Sequence, residues 1–105
     1  MEISKKDWAL YRSKLPDWQE NYMDRLNQHY LSILTDKERC ASTKFWDLEE
    51  QIKQDKCHPA VITRVSRSNM LPTLIVFLRD GVIEEEELNE FSEEIRTAVT
   101  KFLRR

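Results

Sequence analysis

Two cysteines and two histidines hold all the thiol and imidazole chemistry of this 105-residue chain: Cys40, Cys57, His29 and His58. A zinc site asks for four ligands, commonly paired at C-x-x-C or H-x-x-x-H spacing. Here Cys57 and His58 are adjacent and the other two stand alone, so the pattern predicts no metal and no cofactor. Neighbouring residues on a helix or strand point apart, so adjacency does not make Cys57 and His58 a nucleophile–base pair. A reactive thiolate also needs an electropositive pocket and an orienting third group, and Lys56 alone lies nearby. No residue is assigned a catalytic role, and the chain is expected not to be an enzyme.

Carboxylates are the richer resource. Seven glutamates fall in the eleven residues from Glu84 to Glu94, namely Glu84, Glu85, Glu86, Glu87, Glu90, Glu93 and Glu94. General-acid work needs a buried carboxyl with a raised pKa; on an exposed helix face these are solvated instead. A few acids satisfy the dipole at a helix start. The excess makes a patch of one sign, which attracts a basic protein surface. Asp47, Glu49 and Glu50 would extend the patch if their helix lay alongside. Phosphate-cradling loops need several glycines, and Gly81 is the only one in the chain.

Arg64, Arg67 and Arg79, with Lys101, Arg104 and Arg105, offer a competing basic patch. The helix, Gly81 turn and following helix share the outline of a helix-turn-helix. Its recognition helix would begin with Glu84 to Glu87, which phosphate repels, and the net charge of −2 lacks a duplex binder's basic excess. A small DNA-associated regulator using Arg64, Arg67 and Arg79 is therefore the alternative, not the first expectation.

The elements that position these residues are helical. One glycine and three prolines are too few for the tight turns of a sandwich or barrel. Apolar residues at 40% and charged ones at 34% suit one domain with a single core. The fold class is mostly α, a compact bundle of four to five helices over 1–105. Ser4 and Asp7 cap a first helix carrying Trp8, Tyr11 and Leu15, which Pro16 should end. A second helix spans about 17 to 34, with Trp18, Tyr22, Leu26 and Ile33 in register. A third, starting at Thr35 or Ser42, lines Ala41, Phe45, Leu48 and Ile52 on one inward face, with Glu49 and Lys53 as an i, i+4 pair.

The segment 60–67 is β-branched and reads as helical or irregular, with a short extended piece as the alternative. Ser68 or Asn69 caps a nearly all-apolar fourth helix, which Asp80-Gly81 closes and Val82 covers. The last helix begins at Ile83 and turns Leu88, Phe91, Ile95, Val99 and Phe102 inward. Trp46, Met23 and Leu31 fall off the inward seams, so an exposed patch there would mark a homo-oligomeric or scaffold interface. No apolar run approaches the roughly 18 residues of a membrane span, and "MEISKKDWALYRSK" lacks a secretory signal's apolar segment. The expectation is a cytoplasmic protein with reduced thiols.

Three stretches, "LPDWQENYMDRLNQHY", "KFWDLEEQIKQDKCHP" and "LIVFLRDGVIEEEELNEFSEEI", together resemble a group of short proteins from Gram-positive bacteria. That group is often carried on mobile elements and often labelled multidrug transporter; the resemblance implies no catalytic residues. "LRDGVIEEEELNEF" also resembles the SHOCT helical-hairpin motif, with Glu84 where that motif commonly has a capping Ser or Thr. The motif implies an interaction module. Taken with the acidic block, the expectation is a protein-binding inhibitor or regulator, of the anti-CRISPR kind. Its partner would present a basic surface, as a nucleic-acid enzyme does.

Overall fold

The computed structural model describes residues 2–104, and among them there is no strand. In chain order the helices are α1 (Lys5–Leu34), α2 (Ala41–Asp55), α3 (Pro59–Ile62), α4 (Met70–Arg79), a 3-10 segment (Glu85–Glu90) and α5 (Glu93–Leu103). The mostly-α expectation holds. Arg105, counted in the basic patch, lies outside the described residues.

α1 opens on the expected cap, with Ser4 Oγ accepting from the Asp7 amide at 3.1 Å. It then runs for 30 residues and passes through Pro16, where a helix end was expected. A proline in a helix interior removes one hydrogen bond and costs about 3 kcal/mol. The buried stripe of Asp7, Tyr11, Leu15 and Trp18 continues across it on one side. Pro16 and Arg12, whose carbonyl loses its helical partner, are exposed on the other. Burying large apolar side chains at roughly 1.5–3 kcal/mol each outweighs that loss.

The core is built around Trp18. Its ring lies 6.5 Å from Tyr11, 6.3 Å from Phe77 and 6.4 Å from Phe91, at separations typical of aromatic clusters. Its indole N–H donates to Glu87 at 3.2 Å. α4 supplies Met70, Leu74 and Phe77, all fully buried, as its apolar sequence predicts. Gly81 closes α4 at φ 72°, with the Val82 amide bonded to the Phe77 carbonyl at 2.8 Å and the Gly81 amide to Leu78 at 3.3 Å. That pair of bonds is a Schellman end, and Val82 packs on the core beside it.

Ile83 does not begin the last helix. Glu85–Glu90 form a 3-10 turn that sets Leu88 into the core, Phe91 is extended, and Ser92 caps α5. Two effects favour this break. Glutamates stacked at i, i+4 in a continuous helix repel. Ser92 is the better cap, and the buried Asp7 holds it: Ser92 Oγ donates to Asp7 Oδ2 at 2.6 Å and its amide to Oδ1 at 2.9 Å. Phe102, expected inward, is 56% exposed. The inner stripe of α5 is Ile95, Val99 and, partly buried, Leu103, at strict i, i+4 steps.

The segment 60–67 holds one helical turn and then an irregular run. Pro59 occupies the first position of α3, and His58 Nδ1 accepts the Ala60 amide at 2.9 Å. α3 packs on α1 and α4, and α5 packs on α4, forming a head. α2 packs mainly on α1, so the C-terminal half of α1 and α2 form a helical hairpin, hereafter the arm. Overall the molecule measures 52 × 26 × 18 Å. α2 has no buried residue. The stripe expected inward is largely bare, with Phe45 62% and Ile52 41% exposed.

Candidate functional site

The arm is held together by polar links. The turn at its tip is pinned by Asp36 Oδ1 accepting the Glu38 amide at 2.9 Å, and by Arg39 bridging Asp36 at 3.0 Å and Asp47 at 3.4 Å. α2 starts after Cys40, not at the Thr35–Glu38 box or at Ser42. Further along, the Tyr30 hydroxyl donates to Asp55 at 2.6 Å, and Gln51 Nε2 donates to the other oxygen of Asp55 at 3.0 Å. Burial and the Asp55 carboxylate together push the Tyr30 phenol up to about 12.

These links set the rotation of α2. Its half-buried residues are Lys44, Leu48, Gln51 and Asp55, at i, i+4, i+7 and i+11, and this is the side against α1. The apolar stripe of Phe45 and Ile52 sits one residue step further round, about 100°. The result is a hairpin with two unlike sides. One is polar and hollowed between His29, Ile33, Arg39, Asp47, Glu50 and Gln51. The other carries an apolar groove of about 620 Å³ along Phe45, Leu48 and Ile52, edged by Glu49, Lys53 and Lys56. A smaller hollow shares Ile52 and Lys56 with it and continues onto Met23, Leu26 and Tyr30 of α1.

The three apolar residues singled out from the sequence lie on this arm. Trp46 is 63% and Leu31 53% exposed, while Met23 is half-buried in the smaller hollow. Phe45 and Trp46 meet edge to face at 5.0 Å. Phe45, Leu48 and Ile52 were visible as a stripe but assigned to the core. The adjacent bulky pair Phe45-Trp46 was the available signal, since two neighbours 100° apart cannot both face one helix.

The acidic run is divided. Glu87 receives the Trp18 indole and Glu90 pairs with Lys14, so both brace the head. That pairing, by hydrogen bond and then by charge, raises the Lys14 pKa against some burial. Glu84 is exposed just before the 3-10 segment, Glu85 and Glu86 on it, and Glu93 and Glu94 on the first turn of α5. α2 lies on α1, so Asp47, Glu49 and Glu50 belong to the arm and not to this surface. The expected Glu49–Lys53 pair does not form an ion pair among the described residues.

The arginines are partly engaged as well. Arg67 donates to the Ile3 carbonyl at 2.6 Å and Arg79 pairs with Asp80 at 2.9 Å, while Arg64 is exposed. The helix after the Gly81 turn is a 3-10 segment, so the helix-turn-helix outline is not formed there.

Thiols and imidazoles stay apart in their roles. His58 caps α3, stacks on Tyr22 at 5.0 Å and bonds Asp80 through Nε2 at 2.8 Å. Because its Nδ1 accepts an amide, the proton of the neutral ring sits on Nε2. The Cys57 thiol turns back to the Lys53 carbonyl at 3.5 Å. Cys40 is exposed at the start of α2, and hydrogen bonds from Ser42 and Thr43 lower its thiol to about 7. No group of three or more His, Cys, Asp or Glu suited to a metal occurs among the described residues. Among them, too, no helix is long and apolar enough to cross a membrane. No protein-family model matches the sequence, and comparison with curated proteins and with solved structures finds no match.

Proposed function

We propose that this chain is a non-enzymatic protein-interaction module that docks through the apolar side of its arm. One observation carries the proposal: five of the eight large apolar residues exposed in the described chain, Leu31, Leu34, Phe45, Trp46 and Ile52, fall on this hairpin. Bare apolar residues gathered on one element beside a well-packed core mark an interface. The rotation of α2 adds support. Turning it by one residue step would move Phe45 and Ile52 toward α1, yet the Tyr30–Asp55–Gln51 link holds it where they stay out.

A second reading rests on Glu84, Glu85, Glu86, Glu93 and Glu94, which make no ion pair among the described residues. Their carboxylates suit a basic partner such as a nucleic-acid enzyme, whose phosphate-reading groove an inhibitor of the anti-CRISPR kind would occupy. A photo-crosslinking residue placed at Trp46, at Glu85 or at the exposed head residue Ser13 separates the two readings. The arm reading expects a discrete protein adduct from position 46 and none from 85 or 13. An adduct from position 85 alone moves the docking element to the acidic segment. Equal adducts at all three positions, or none, would return the arm's apolar side to solvent.

A further inference from the structure

We infer that the occupant of the arm's apolar side is a second copy of the same arm, docked antiparallel about a twofold axis. This rests on the arm being the docking element. Two hairpins joined so make a four-helix bundle, the arrangement that lets each hairpin cover the stripe the other leaves bare.

Three observations favour a second copy. First, the apolar side is continuous across both helices, since the groove along Phe45, Leu48 and Ile52 shares Ile52 and Lys56 with the hollow on Met23 and Leu26. A bundle needs both helices of each hairpin to contribute. Second, the other side of the hairpin is polar, with Arg39, Asp47 and Glu50 around its hollow. One sticky side per copy closes a pair and does not propagate a fibre.

Third, the charges along the groove complement themselves. Glu49, Lys53 and Lys56 edge it at i, i+4 and i+7, hence on one flank, with the acid toward the start of α2 and the lysines toward its end. In an antiparallel pair each flank meets the same flank of its copy running the other way. Glu49 then faces Lys53 and Lys56 of the copy, and the contact occurs twice. Glu49 and Lys53 make no ion pair among the described residues, which leaves both for the copy. α2, at 15 residues, is about 22 Å long and gives some four turns of contact. That is a modest interface for a stable complex, so the pairing should depend on concentration.

Sedimentation equilibrium across a wide concentration range tests this. The mass should climb from 12.7 kDa toward twice that value, and Phe45→Glu should hold it at the monomer. Glu49→Lys alone, and Lys53→Glu with Lys56→Glu, should each weaken self-association at least about tenfold, through like charges at both ends of the pair. Mixing those two variants should restore association, because the all-basic flank then meets the all-acidic one. The substituted residues are exposed, and circular dichroism confirms that each variant stays folded. A monomer at every concentration, or a mixture no more associated than its parts, overturns the inference. If the monomer still yields an adduct with another protein from position 46, only the second copy is lost and the docking face stands. A monomer with no adduct there removes both.

Discussion

The head and the arm spend similar apolar periodicity in opposite ways. α5 and α2 both carry apolar residues at helical spacing. In the head, Ile95 and Val99 of α5 are buried against α4. In the arm, Phe45 and Ile52 stand in water, and Leu48 is half-covered. The head is locked by packing around Trp18, and its few polar contacts cap or brace that packing. The arm is locked by Tyr30, Asp55, Gln51 and Arg39, with Ile33 as its buried apolar residue. Periodicity therefore marks a face as apolar. What covers that face depends on which neighbouring residues win the contact with the next helix.

The widest test of this contrast sets one aromatic of each region against the other. Trp18→Ala should cost about 3–5 kcal/mol of stability by chemical denaturation, as aromatic truncations in cores do. Phe45→Ala, read at low protein concentration, should stay within about 0.5 kcal/mol, as exposed sites do. Equal losses would mean that the arm face is covered within one chain.

Next comes the clamp that ties the two ends of the head. Asp7 is 3% exposed and holds Ser92 through two bonds and Ser4 through another. Burial pushes its carboxyl up, but the hydrogen bonds from Ser92 and Ser4, with Lys6 nearby, outweigh that and leave it below the usual 3.8. A depressed folded pKa gives stability that is full above the unfolded value and is lost as pH falls through the folded one. Asp7→Ala should cost about 2–3 kcal/mol near neutral pH, and should flatten the fall in stability expected of the native chain below about pH 4. A native-like acid limb in the variant would place that sensitivity elsewhere.

Tyr30→Phe should act on the arm alone. Losing a bond to a charged acceptor at a part-buried site costs about 1 kcal/mol. Hydrogen exchange should then quicken in α2 and leave α4 and α5 unchanged. In the native chain, stability assigned to this phenol is present below its ordinary pKa of 10 and is lost as pH rises toward about 12. The variant should lack that alkaline loss. Uniform quickening across both regions would show that arm and head unfold as one unit.

The smallest effect is expected at Tyr11, whose hydroxyl is the buried side-chain polar atom without a partner among the described residues. Burial raises its pKa, and Thr73 tempers the shift without reaching hydrogen-bond geometry. Tyr11→Phe removes an unsatisfied group from the head and should leave stability unchanged or raise it by up to about 1 kcal/mol. A clear loss on thermal melting would reveal a bond that the hydroxyl makes.

Much of the head was legible in the residues themselves. The Ser4 cap, the apolar α4 and the Gly81 end all depend on neighbours within a turn or two, which is the range over which propensity and capping act. The acidic run misled because the residue that breaks it, Ser92, is selected by Asp7, 85 positions away. Pro16 misled because its penalty is local while the stripe that overrides it is buried by α4 and Phe91.

The sequence by itself determined that the chain is helical, where most of its apolar stripes lie, and that no residue set in it spells out a reaction. Only the tertiary structure decided which stripe is core and which is surface. Turning a helix by one residue step changes no local propensity, yet here it moves Phe45 and Ile52 from a core to an open face. The step is fixed by a Tyr30–Asp55 contact between separate helices, which spacing along one helix cannot encode.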